Sequence, residues 1–161
     1  VNVKSQILRR GSKTVLARRA TQLQAGLGAI APKVAKEGEH HARRGAYLNV
    51  YGTVPGRVYQ RTNTLFNRIH SSGSASGGQV VVTLGDSAPY ASDVEFGTGP
   101  HQMTQAQLDA HLKSLPPGGL LRFGRTGQAY MLPGPYIGPA LRLVQYRTQQ
   151  EVQYLMRRLW A

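Results

Sequence analysis

The sequence predicts an α+β fold, an antiparallel sheet of hairpins packed with an N-terminal amphipathic helix and a long C-terminal helix. Three observations predict it. Apolar residues recur at steps of three or four at Leu16, Ala20, Leu23, Leu27 and Ile30, and again at Leu141, Val144, Thr148, Val152, Leu155 and Leu159. That spacing lays each set along one face of a helix. Between the two lies a β-branched run, Val80, Val81 and Val82 with Leu84, which has the character of a strand. Glycine-rich turns beside the candidate strands favour hairpins, and so a sheet with helices on one face.

The 161 residues suit a single domain over 1–161. Residues 1–12, with Lys4, Arg9 and Arg10, read as a flexible basic arm or a short helix. The first helix is expected over 13–31, with a kink or restart at Pro32, which lacks an amide donor. Gly26, Gly28 and Gly38 weaken its continuity. A short strand is expected around Tyr47 to Tyr51, and the first hairpin pairs Leu65–His70 with Gln79–Gly85 across the flexible turn SSGSASGG. The uninterrupted valines suggest burial on both faces or at an interface. Residues 90–95 make one helical turn, and Thr104 caps a helix running to Leu115 with Leu108, Leu112 and Leu115 on one face. Pro116-Pro117-Gly118-Gly119 ends it. Leu120–Phe123 and Gln128–Leu132 form a second hairpin candidate, and Gly138-Pro139 opens the last helix of about 20 residues.

Lys and Arg total 20 against 7 Asp and Glu, a net charge of +13. Such an excess points to a polyanion or to acidic protein neighbours. Lys4, Arg9, Arg10, Lys13 and Arg18 are the candidate contacts for DNA or an acidic partner. The absence of cysteine excludes disulfides and thiolate metal sites. No apolar run approaches the length of a membrane span, and the first ten residues lack the apolar region of a secretory signal.

No enzymatic spacing is present. His40 and His41 are adjacent and point apart on a helix, and His70, His101 and His111 are scattered. Neither a zinc-protease, a nucleophile-elbow nor a phosphate-loop motif occurs. No catalytic residue, metal ligand or cofactor is therefore expected. The basic residues are spread along the chain without a nucleic-acid recognition motif, so a non-specific nucleic-acid-binding protein is the alternative.

Three segments carry a resemblance. Tyr59-Gln60-Arg61-Thr62-Asn63-Thr64-Leu65 resembles the Y-x-R-T-G-x-L opening of the tail-completion, or head-to-tail joining, proteins of long-tailed bacteriophages. Tyr90 to Thr98 resembles that family's Y-A-x-x-V-E-F-G-T signature, and Gly134 to Leu141 its closing P-x-F-L-x-P-A-L. The order is the family's, over residues 59 to 141. Asn63 replaces the usual Gly, which a left-handed turn tolerates, and residues 99–132 form an insertion.

The resemblance implies a structural virion protein that forms a ring, often hexameric, at the head–tail junction. Its partners would be further copies of itself, the connector or adaptor, and the tail-tube or tail-terminator proteins. DNA would pass non-specifically through the lumen, and assembly would occur in the host cytoplasm. The interface candidates are Arg61, Thr62, Val80, Val82, Tyr90, Glu95, Phe96, Gly97, Thr98 and Tyr136. Within that set Thr62 can cap a turn through its hydroxyl, Arg61 is a candidate partner for Glu95, and Gly97 and Gly99 let the chain turn after Phe96. The insertion and the basic N-terminal segment are the candidates for docking neighbouring proteins.

Overall fold

Helix α1 runs without a break from Val3 to Ala46, and the chain leaves it through a π-helical turn, Tyr47–Tyr51. The computed structural model describes residues 3–51, 62–121 and 132–160, with only the backbone of 3–13. The order then continues α2 (Thr64–Arg68), β1 (Ile69–Ser76), β2 (Gln79–Asp86), α3 (Ala91–Phe96), a 3₁₀ turn (Gly99–His101), α4 (Gln105–Ser114) and α5 (Ile137–Trp160). Among the described residues the sheet has two antiparallel strands, paired from Ile69 with Asp86 to Ser76 with Gln79. The fold is mixed helix and strand, with long helices at both ends, as the sequence predicts.

Neither Pro32 nor the glycines interrupt α1. Ala31, Val34 and Ala35 flank the proline and are fully buried, so packing holds the helix through the missing amide. Gly26 and Gly38 lie under the side chains of Leu155 and Val144, and any β-carbon there would enter them. By propensity these glycines weaken a helix; in the fold they let α5 approach α1. Helicity reaches back to Val3, taking in the segment read as an arm or a short helix.

Three expected elements differ. Residues 47–51 form the π-helical turn and not a strand, which turns Asn49 and Val50 inward. Residues 64–68 are helical, so the first strand starts at Ile69. The Ser/Gly run is itself that strand, and the turn is only Gly77-Gly78, both with positive φ. Small residues serve β1 because it crosses α1 closely: a β-carbon on Gly73 would stand 2.2 Å from the Ala31 carbonyl oxygen. The second hairpin candidate falls largely at 122–131, outside the described residues.

Two apolar clusters fill the interior. Ala42, Ala46, Leu65, Ile69, Leu84, Val94, Tyr136 and Ala140 belong to one. The other joins Leu27, Ile30 and Val34 of α1 to Val144 and Leu155 of α5, with Val80 and Val82 packed against it. The valine strand is therefore buried on one face only, and Val81 is 55% exposed. Leu141, expected on the inner stripe of α5, is also exposed. Part of the insertion belongs to the body: Thr104 caps α4 through a capping box, and Met103 and Leu108 are buried. Lys33–Glu151 (2.7 Å) and Arg147–Glu37 (2.8 Å) link α1 to α5 at the surface, where such pairs add little.

Two glycine substitutions separate packing from propensity. Gly73→Ala should destabilise by about 2 kcal/mol, because the strand must move off α1. Gly28→Ala, with nothing within 4 Å of the added carbon, should stabilise by about 1 kcal/mol. Urea unfolding of the two variants against the parent measures both signs.

Candidate functional site: the junction of α3 and α5

The segments 90–98 and 134–141, which carry two of the three sequence resemblances, meet at one buried carboxyl. Glu95, on the last turn of α3, is 6% exposed. One of its oxygens accepts the amide N–H groups of Tyr136 (2.8 Å) and Ile137 (3.0 Å), and the other accepts that of Gly138 (2.8 Å). Ile137 and Gly138 are the first residues of α5, whose opening amides have no partner within the helix. Pro139 follows and brings no donor. Glu95 thus caps α5 from another element, where the helix field also favours negative charge. Burial pushes its carboxyl above the ordinary value, and the three N–H bonds oppose that shift.

The loop into α5 is fixed on every side. Gly134 donates its N–H to the Val94 carbonyl (2.8 Å), and the Asn49 amide donates to the carbonyls of Pro135 (3.1 Å) and Leu121 (3.0 Å). The π-helical turn is what carries Asn49 there. Tyr136 is fully buried, and its hydroxyl donates to Asp86 at the end of β2 (2.7 Å). Burial, then the bond to Asp86, push that hydroxyl far above its ordinary value, so it remains a protonated donor. Asp86 also accepts the amide of Ala88 (2.8 Å). Gly138 fits tightly: a β-carbon would stand 3.1 Å from the Glu95 carboxyl and 3.2 Å from Leu112, so these side chains would have to give by a few tenths of an ångström. A cavity of about 230 Å³ opens beside this junction, lined by Phe96, Leu108, Ile137 and Leu141 among others.

Of the interface candidates, Glu95, Gly97 and Tyr136 are buried, and Tyr90, Phe96 and Thr98 are half-buried around them. Gly97 has φ 77°, and with Gly99 at 67° it makes the sharp turn expected after Phe96. Asn63 is left-handed at φ 56°, as expected where the motif has Gly. The Thr62 hydroxyl lies 2.8 Å from that of Thr64, at the start of α2. Arg61 lies outside the described residues, and so does its expected pairing with Glu95. Val80 and Val82 turn inward to the second cluster.

Arg18 is exposed, and its neighbour Arg19 lies over the Trp160 ring at 5.9 Å from the centroid. Arg157 and Arg158 are exposed at the same end of the helix pair, and no acid occurs in residues 1–36 or 152–161. Lys4, Arg9, Arg10 and Lys13 lie on the helical backbone that continues from this end. Only the antiparallel pairing of α5 with α1 brings Arg157 and Arg158 to this basic pole, a placement with no local signal in the sequence.

Among the described residues no three His, Asp or Glu side chains converge to hold a metal ion, and no helix is long and apolar enough to cross a membrane. No protein-family model, curated protein or solved structure matches the chain.

His41 of α1 is buried and donates from Nε2 to the Gly118 carbonyl (3.1 Å), which holds the turn after α4 against α1. Nδ1 is buried and has no hydrogen-bond partner among the described residues. Burial lowers the His41 pKa, against the opposing pull of the Gly118 carbonyl. The unfolded chain therefore takes up this proton more readily than the folded one. Its contribution to stability is complete above pH 6.5 and is lost as pH falls through 6.5 toward the folded value. His41→Gln should flatten this part of the pH–stability curve, read by urea unfolding on either side of that pH.

Glu95→Gln should cost about 3 kcal/mol, because an amide oxygen cannot serve three donors and its own N–H₂ opposes one of them. Tyr136→Phe, which removes only the bond to the Asp86 carboxylate, should cost about 2 kcal/mol. Unfolding midpoints at neutral pH give both values.

Proposed function

We propose that this chain is a structural subunit of the neck of a long-tailed bacteriophage. It closes with copies of itself into a ring, often hexameric in the family it resembles, that joins the connector to the tail tube and lets DNA pass. The observation that carries this reading is the Glu95 junction. Two segments that resemble the family's signatures, some forty residues apart, form one bonded unit through the acid of the first and the opening amides of the last helix. The left-handed backbone at Asn63, where the first motif has Gly, supports it further. In this role the site is mechanical: it fixes the long closing helix against the sheet, so that each subunit presents a rigid shape to its neighbours. Contacts that close by rotation make a ring, and those that do not make a filament.

The acid-free pole formed by Arg18, Arg157 and Arg158 favours a second reading, non-specific binding of nucleic acid. Phosphate contacts of that kind weaken steeply with salt.

Negative-stain electron microscopy of the purified protein, alone and mixed with filled heads and tails, tests the first reading. Rings of uniform size, or label at the neck, are expected. A monomer that joins neither part and retards DNA in a salt-sensitive way would replace it with the second.

A further inference from the structure

Half of the chain's cations stand in two segments that contain no acid. Residues 1–36 and 152–161 hold 10 of the 20 Lys and Arg and none of the 7 Asp and Glu. The antiparallel packing of α5 on α1 brings the far ends of these segments together: Arg19 lies over Trp160, and Gly26 lies under Leu155. Arg18, Arg157 and Arg158 are exposed there, and among the described residues no ion pair engages them. The nearest acid along α5, Glu151, is already held by Lys33 and Arg147. Between the helices a cleft of about 410 Å³ is lined by Gln22, Ala25 and Gly26 of α1 and by Arg158 and Leu159 of α5.

Exposed aromatic rings stand among these cations. Tyr154, Arg157 and Trp160 follow at steps of three on α5, which sets them in one row on the helix surface, and Arg158, four after Tyr154, flanks it. Tyr154 is 66% exposed and Trp160 45%. The row thus presents ring, guanidinium and ring over about 9 Å of helix. Arginines on a last turn also complement the helix field, but that role does not call for uncovered rings beside them. A protein interface loses charge toward its core, whereas here each ring has a guanidinium next to it. Single-stranded nucleic acid is the polyanion that matches: its phosphates take the cations, and its unpaired bases stack on the rings. A duplex keeps its base faces stacked inside and leaves only the cations to act.

We propose that this pole binds single-stranded nucleic acid without sequence preference, with bases on Tyr154 and Trp160 and phosphates on Arg18, Arg157 and Arg158. The inference rests on the nucleic-acid reading above, to which it gives a surface and a strand form, and it does not depend on ring closure. The two kinds of contact separate in salt. Phosphate contacts release counterions and set the slope of affinity against salt, while stacking adds affinity without changing that slope.

The chain has a single tryptophan, so Trp160 fluorescence reports this site. The full chain is titrated with oligothymidylate of about 16 nucleotides, with a duplex of the same length and with polyglutamate, from about 0.05 M to about 0.3 M NaCl. Oligothymidylate should quench Trp160 and, at the highest salt, bind at least about tenfold tighter than duplex or polyglutamate. Tyr154→Ala should weaken it roughly tenfold and leave the salt slope unchanged. Arg157→Gln combined with Arg158→Gln should weaken it and flatten the slope by about 1.4. Both variants change exposed side chains, and circular dichroism checks that they fold. Unchanged affinity in Tyr154→Ala would overturn the inference. Polyglutamate bound as tightly as oligothymidylate would overturn it in favour of an acidic protein partner. A duplex bound as tightly as the single strand would overturn it and leave the nucleic-acid reading standing. Binding of neither nucleic acid at any salt would overturn both.

Discussion

A carboxyl buried under three backbone amides holds this molecule in its shape. Withdrawing a carboxylate from water costs several kcal/mol even after the protein relaxes, and a buried charge persists only where bonds offset that cost. Glu95 receives three, each charge-assisted and worth about 1.5–3 kcal/mol, from the residues that open α5. The dependence runs both ways. Without Glu95 the first turn of α5 keeps unpartnered donors inside the protein, and without that turn the acid is stranded. α3 and α5 are therefore fixed relative to one another more firmly than apolar contact alone would hold them. Tyr136 extends the constraint to the sheet through Asp86, and Asn49 extends it to the end of α1.

The rest of the body depends on that frame. A two-stranded hairpin rarely stands alone in water, and this one is supported by α1 along its inner face. The support works because the facing residues are small: Gly73 lies against the Ala31 carbonyl, and Gly26 and Gly38 admit Leu155 and Val144. Leu27, Ile30, Val34, Val144 and Leu155 fill the rest of this half of the molecule. Tyr136 and Leu65, with the alanines Ala42, Ala46, Ala88 and Ala140, belong to the other half, around the Glu95 junction.

Features legible in the sequence were those that local rules determine. The apolar stripe of α5, the Thr104 capping box, the valine strand and the turn glycines at 97 and 99 all follow from residues a few positions apart. What escaped depended on distant partners. Ser71 to Ser76 looks like a flexible turn until α1 is seen beside it, where a β-carbon on Gly73 would meet the Ala31 carbonyl. Pro32 looks like a break until the burial of Ala31 and Val34 is known. The candidate site was half legible. Tyr90, Glu95, Phe96, Gly97 and Tyr136 stand among the interface candidates of the sequence; in the fold they gather around one internal junction, where Glu95, Gly97 and Tyr136 are buried. The main-chain amides that Glu95 binds leave no trace in a sequence.

Backbone amide exchange at Tyr136, Ile137 and Gly138, followed by NMR, measures most directly whether Glu95 holds the fold as described. In the parent protein these three amides should exchange as slowly as those in the middle of α5, and in Glu95→Gln they should lose that protection while the middle of α5 keeps more of its own. Fast exchange of all three in the parent would contradict the account, because the carboxyl would then not be the partner that fixes the start of the helix.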